Sequence, residues 1–203
     1  MTVATFQPPS SGGGAGLDTF LDAGNTATNY GTGTTFYVGT IGKTPKAMNS
    51  IIEIDVSTIP SYAIVSAATL TMYANNAASS AFQCEVNQIR RTDWSETQAT
   101  WTVYKTANNW GTAGAMNTSS DMDTTYNVNF NAPTSTGSFV ISALHLMVQD
   151  AVSIQSGIFR AILFPTNQTQ AANYFVARSA EHATAADRPL LTVTYTARRI
   201  FTS

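Results

Sequence analysis

Apolar and polar residues alternate along most of the chain, from Leu17 to Thr196. The last run shows the pattern most clearly, because Leu191, Val193 and Tyr195 share one face while Thr192 and Thr194 share the other. A period of two is typical of β-strands that bury one face. Turn residues separate the runs, which predicts about ten short strands and an all-β fold, an antiparallel sandwich or barrel. The runs span residues 19–22, 34–38, 50–55, 64–73, 82–89, 126–130, 138–141, 158–164, 174–177 and 190–195.

One segment, residues 142–152, departs from this alternation. Its apolar residues recur at intervals of three and four, which predicts a short helix with one apolar stripe. The stripe consists of Leu144, Met147, Val148 and Ala151. Ser142 is a suitable N-cap, and we expect the helix to close one end of the sandwich.

The two ends of the chain differ from the strand-rich part, which we assign to a single domain over residues 17–196. Residues 1–16 combine the stiff pair Pro8-Pro9 with a flexible serine- and glycine-rich run, and they predict a flexible N-terminal arm. Residues 197–203 form a C-terminal tail. This tail is either a fraying end or a peptide that docks on a neighbouring subunit.

The composition indicates a folded protein with few charges. Charged residues make up 11% of the sequence, against about 25% in an average soluble domain, and 31 threonines fill much of the difference. The 43% of apolar residues excludes disorder for most of the length. The net charge of −2 argues against a nucleic-acid partner, because phosphate contacts need clustered basic side chains.

We expect neither a membrane span nor an export signal. No segment reaches the roughly 18 consecutive apolar residues of a spanning helix. The first nine residues carry no basic side chain and no apolar run of the signal type. The expectation is therefore a protein made in the cytoplasm without a signal peptide, with an extracellular location as the alternative.

The sequence offers no catalytic motif, and we expect no enzyme activity. His145 and His182 are the only groups with near-neutral intrinsic pKa values, and neither lies in a nucleophile motif. Cys84 is the single cysteine, which excludes an internal disulfide, and its alternation with Phe82 and Val86 predicts a buried small side chain.

No cofactor is required, but a structural calcium ion is an open alternative. Two pairs of acids could offer the hard oxygen ligands that calcium prefers. The pairs are Asp18 with Asp22 and Asp121 with Asp123. Solvated loop carboxylates are the competing interpretation.

Several residues indicate structural roles. Trp94 and Trp101 bracket Glu96, and large aromatic rings of this kind usually fill a sandwich interior. Asp55 is placed to accept backbone N–H bonds in the turn that follows it. Arg188 is expected to form an ion pair with Glu181 or Asp187 that fixes the last strand.

Five segments of the chain form a recognisable series. The central block consists of a strand ending in Asp55, a Ser-x-Ile-Pro turn and a strand entering through Ala-Thr-Leu70. The others are the opening segments around residues 18–39, Trp94-Ser-Glu96 with Thr100-Trp101, the helix at 142–152, and Ser179-Ala-Glu181 with the closing strand 188–195. In this order the five segments resemble the DNRLRE-type domains, which are related to carbohydrate-binding module family 96 and to disaggregatase-related repeats, and the central block is the most characteristic.

The resemblance implies a jelly-roll-like sandwich without catalytic machinery, and it leaves two functions open. The first is a bacteriophage virion structural protein, such as a capsid decoration, head-fibre or tail-associated subunit, which would attach to other virion proteins and to further copies of itself. The alternative is a carbohydrate-binding module for a polysaccharide or a host surface glycan. For that alternative we expect the aromatic residues in or near loops to bind sugar: Tyr30, Tyr37, Tyr104 and Trp110.

Overall fold

The computed structural model describes residues 1–8 and 17–197. Within them lie thirteen strands, one α-helix and a short 3-10 helix at Ala185–Asp187. The strands are β1 Thr2–Phe6, β2 Asp18–Asp22, β3 Thr35–Ile41, β4 Lys46–Asp55, β5 Ile64–Asn76, β6 Gln83–Ile89, β7 Val103–Lys105, β8 Asn108–Asn109, β9 Met122–Asn131, β10 Gly137–Ile141, β11 Ile158–Pro165, β12 Asn173–Arg178 and β13 Leu190–Thr196, and the helix is α1 His145–Ser153.

Eleven of these strands form one antiparallel sheet that curls on itself, in the order β1-β13-β5-β12-β3-β4-β11-β6-β9. Two further strands pair outside this order, β10 with β5 and β2 with β4. The remaining strands, β7 and β8, form a small hairpin. The all-β fold is confirmed, with the two halves of the sheet facing each other as the layers of a sandwich.

The main core lies between these two halves. Alternate residues of both halves supply it, such as Phe36, Leu70 and Phe175 from one half and Ile52 and Phe159 from the other. The apolar stripe of α1 packs into the same core, as its period predicted, and Cys84 is fully buried there. Burial raises the pKa of the Cys84 thiol and keeps it in the neutral form.

A second core covers the outer face of β4, β11 and β6. It forms because residues 90–121 fold back over that face and bury Trp94, Tyr104 and Trp110 against it. The carboxylate of Asp121 fastens this segment, accepting bonds from the backbone N–H groups of Gly111 at 2.9 Å and Thr112 at 3.0 Å. Residues 90–121, which are mostly loop, thus add a third layer to the two layers of the sandwich.

Two predictions about the ends and the helix were wrong. Thr2–Phe6, assigned to a flexible arm, pairs with β13 as an edge strand, because Ala4 and Phe6 place partly buried side chains on one face, opposite Val193 and Leu191 in the ladder. Residues 9–16 and 198–203 lie outside the described part of the chain.

The helix begins at His145 rather than at Ser142, because Ala143 has a positive φ of +64° and the N-cap is Leu144, without a side-chain bond.

Candidate functional site

Two of the four residues predicted to bind sugar are buried. Trp110 is 4% exposed and Tyr104 is 8% exposed, both in the second core. The indole N–H of Trp110 donates to the Thr100 carbonyl at 2.9 Å, and its ring contacts that of Tyr104 at 5.6 Å. The prediction was wrong for both residues, because local loop composition does not reveal that the loop covers an apolar sheet face.

The other two residues, Tyr30 and Tyr37, come together on one edge of the sandwich. Phe20 of β2 lies between them, with its ring centroid 4.0 Å from that of Tyr30 and 4.8 Å from that of Tyr37. Tyr37 in turn contacts Tyr174 of β12 at 5.9 Å. The three tyrosines are half-buried, so each keeps part of its surface in solvent. We call Phe20, Tyr30, Tyr37 and Tyr174 the aromatic edge.

A glycine in β3 leaves room for Tyr174, which lies at one end of the row. Gly39 lies opposite Tyr174 in the β3–β12 ladder and has a positive φ of +137°. A Cβ at this position would stand 2.7 Å from the Cβ of Tyr174 and 2.4 Å from the Asn173 carbonyl. Glycine therefore leaves the space in which the Tyr174 side chain lies. Sequence reasoning missed Tyr174, which falls inside a predicted strand.

Polar groups flank the row at both ends. At the Tyr30 end, the carboxylate of Asp22 accepts bonds from the Gly24 N–H at 2.7 Å, the Asn25 amide at 2.7 Å and the Tyr30 hydroxyl at 3.4 Å. Desolvation, and then the neighbouring Asp22 charge, raises the pKa of Tyr30, so the phenol stays neutral. At the Tyr174 end, a small cleft of about 180 Å³ is lined by amide and hydroxyl side chains, including Asn76 and Ser79.

A second polar cluster is buried and structural. Glu53, on β4, accepts bonds from the Trp94 indole at 3.1 Å and from Arg160 Nε at 2.9 Å. Burial raises the pKa of Glu53, and the Arg160 charge opposes that rise. The interior position of Trp94 is confirmed, whereas Trp101 is only half-buried, because it packs on the rim of the second core against Gly114.

Three acidic residues from separate sequence motifs, Asp18, Glu96 and Glu181, lie close together near the start of β2. Asp18 is buried, accepts a bond from the Ala180 N–H at 2.7 Å, and donates its own N–H to Glu96 at 2.9 Å. Desolvation, and then the Glu181 charge, raises the pKa of Asp18 well above its usual range.

The carboxylates proposed as calcium ligands do not form the expected pairs. Asp18 and Asp22 sit in the separate environments described above, and protein donors occupy both Asp121 and Asp123. Among the described residues, no group of three or more Asp, Glu, His or Cys side chains could hold a metal ion. A calcium ion stays a prediction without a defined site.

Of the two remaining predicted contacts, the structure contains one and lacks the other. Asp55 accepts the Ser57 N–H at 2.7 Å, as its turn position predicted. The ion pair expected for Arg188 was wrong, because Asp187 pairs with Arg178 and Arg188 Nε donates instead to the His182 carbonyl at 2.7 Å.

Over residues 1–8 and 17–197, no helix is long and apolar enough to cross a membrane.

Residues 14–104 match the model of carbohydrate-binding module family 96. The resemblance noted in the sequence is confirmed for this part of the chain. The matching segment contains Phe20, Tyr30 and Tyr37 of the aromatic edge, while Tyr174 lies beyond it. No curated protein matches the chain.

Proposed function

We propose that this protein is a non-catalytic carbohydrate-binding domain that holds its glycan along the aromatic edge. The observation that carries the proposal is the row formed by Tyr30, Tyr37 and Tyr174, supported from below by Phe20. The apolar faces of sugar rings pack against aromatic rings, and neighbouring polar groups can bond the hydroxyls. The family match supports the same reading.

The physical role of the protein in this mechanism is preorganisation. Phe20 and Gly39 fix the ring positions before the ligand arrives, so little side-chain freedom is lost on binding. Tyr30 presents a neutral hydroxyl that already donates to Asp22 and retains its lone pairs for a sugar hydroxyl.

The test is retardation in native gels that contain a soluble polysaccharide. A panel of neutral and acidic polysaccharides is run against the wild type, Tyr30→Ala and Tyr174→Ala. Tyr62→Ala is the matched control, because Tyr62 is 52% exposed and lies outside the aromatic edge. We expect at least one polysaccharide to retard the wild type and the control but not the two edge variants. Retardation that is equal for all four proteins would contradict the assignment.

The virion structural role stays a prediction. No contact or comparison described above favours it over sugar binding, and the family match supports the alternative. A virion protein that attaches to host glycans would combine both roles.

A further inference from the structure

Two clefts flank the side chain of Ile154, just after α1. One has a volume of about 420 Å³ and the other of about 310 Å³, at the low end of the roughly 300–1,000 Å³ of small-molecule sites. Ile154 lines both clefts and is 75% exposed, a high value for an isoleucine. We call the two clefts together the Ile154 groove. None of its lining residues belongs to the aromatic edge.

Asp150 brings a partly unpaired carboxylate to the smaller cleft. Asp150 Oδ2 accepts bonds from Gln88 Nε2 at 2.8 Å and from Gln155 Nε2 at 2.9 Å, which leaves Oδ1 with no donor in the described part of the chain. Gln155 Oε1 is buried and also has no hydrogen-bond partner among those residues. Asp150 is only half-buried, so its Oδ1 is the acceptor in this network that a donor from outside can reach.

A bulge in β9 brings further side chains to this cleft. Between the pairs Val86↔Val128 and Gln88↔Asp123, β6 has one intervening residue and β9 has four. The extra residues carry Thr125 and the ring of Tyr126 to the wall of the cleft. Bulges commonly re-aim side chains beside functional sites.

The turn after α1 is held in an unusual backbone conformation. Ser156 has a φ of +57° and Gly157 a φ of +76°. A Cβ on Gly157 would stand 2.5 Å from the Ser57 Cα, so the turn packs closely on the strand end beneath it. A non-glycine residue with a left-handed backbone, such as Ser156, costs of order 1 kcal/mol or more in stability, and such residues cluster at ligand sites. Here the turn exposes Ile154 and places serine hydroxyls along the larger cleft.

The charges of the groove select against anions. Arg90, on its wall, is already paired with Asp123 at 2.9 Å and with the Met122 carbonyl at 3.1 Å. No cationic side chain of the described residues pairs with Asp150. A uronate or a sulfated sugar would therefore meet an uncompensated carboxylate, whereas the hydroxyls of a neutral sugar can donate to it.

We propose that the Ile154 groove is a second glycan site, selective for neutral, hydroxyl-rich oligosaccharides. Sugar hydroxyls donate to Asp150, while the apolar ring face packs on Ile154 and Tyr126. The proposal rests on the proposed function in its general form, sugar binding, but not on the aromatic edge.

The experiment is a titration of the ¹⁵N-labelled, full-length protein, followed residue by residue in ¹⁵N–¹H spectra. The probes are neutral xylo- and manno-hexasaccharides and an acidic hexauronate. Ile154→Ala is compared with Leu146→Ala, which truncates a 48% exposed side chain on the preceding helix α1, and Asp150→Asn tests the acceptor. We expect a neutral probe to shift the signals of residues 150–156 and 124–127. Ile154→Ala should raise Kd about tenfold at those signals, and Leu146→Ala should not change it.

The outcomes separate the two sites. Shifts confined to the aromatic edge, with Kd unchanged in Ile154→Ala and Asp150→Asn, would overturn the groove and leave the edge intact. Shifts confined to the groove would support the groove and overturn the edge. No shift with any probe would overturn both, and tighter binding of the hexauronate at the groove would overturn its selectivity.

Discussion

The ring of Tyr30 lies nearly parallel to the ring of Phe20, with 4.0 Å between their centroids and 18° between their planes. Phe20 is buried, and it also contacts Tyr37, so one core residue positions two of the half-buried rings. The candidate site is thus built directly on the main core. Changes in Phe20 should consequently affect stability and binding together.

We expect Phe20→Ala to lower the free energy of unfolding by about 3–5 kcal/mol, because it leaves a cavity beneath two tyrosines. It should also weaken polysaccharide binding, since Tyr30 and Tyr37 lose their common support. Urea unfolding and gel retardation measure the two effects. Tyr30→Ala is the comparison and should weaken binding with a much smaller loss of stability; full binding by Phe20→Ala would argue against preorganisation.

Trp110→Ala should behave as a core variant and not as a binding variant. Loss of the buried indole and of its bond to the Thr100 carbonyl should cost about 3–5 kcal/mol in urea unfolding. Well below the unfolding midpoint, the affinity of the folded fraction for polysaccharide should equal that of the wild type. A variant with normal stability and lost binding would show instead that Trp110 contacts the ligand.

These examples show how much of the molecule could be predicted. Alternation identified ten of the eleven strands of the main sheet, all but β1, and the apolar stripe of α1, because burial on one face leaves a period in the sequence. The polar run around Trp110 has no such period, and only the tertiary packing of residues 90–121 on the sheet buries it. Tyr174 could not be assigned for a related reason, since a ladder register must place it beside Tyr37 before it becomes a site residue.

The buried carboxyl of Asp18 should make stability fall as pH rises. Its pKa is raised in the folded protein, so its contribution to stability is complete below the unfolded pKa of about 3.9 and is lost as pH increases through the folded value. Asp18→Asn retains an acceptor for the Ala180 N–H and cannot ionise. We expect its Tm to exceed that of the wild type by at least ~2 °C at pH 8 and the difference to shrink towards pH 4.

The control for this titration is Asp55→Asn, which changes an exposed carboxylate. Its melting profile between pH 4 and pH 9 should follow that of the wild type. If Asp18→Asn melts below the wild type at pH 8, the ionised carboxylate is needed there, and the account of the Asp18 and Glu181 pair is wrong.

The buried pair of Glu53 and Arg160 should show strong coupling. Arg160→Met leaves the Glu53 carboxylate buried with only the Trp94 indole as a donor, and we expect a loss of about 3–5 kcal/mol. The double change of Glu53→Leu with Arg160→Met removes both charges and should lose less than the single change. Equal or additive losses in urea unfolding would show that the two side chains act independently.

The most direct test of the central claim is the Kd of the double variant Tyr37→Ala/Tyr174→Ala for the polysaccharide that retards the wild type, measured by calorimetry at matched folded fraction. Both rings lie on the aromatic edge, and both are half-exposed in the folded protein. We predict a Kd raised by at least about tenfold, with the Tyr62→Ala control unchanged. A double variant that binds as tightly as the wild type would contradict the claim that this protein holds glycans along its aromatic edge.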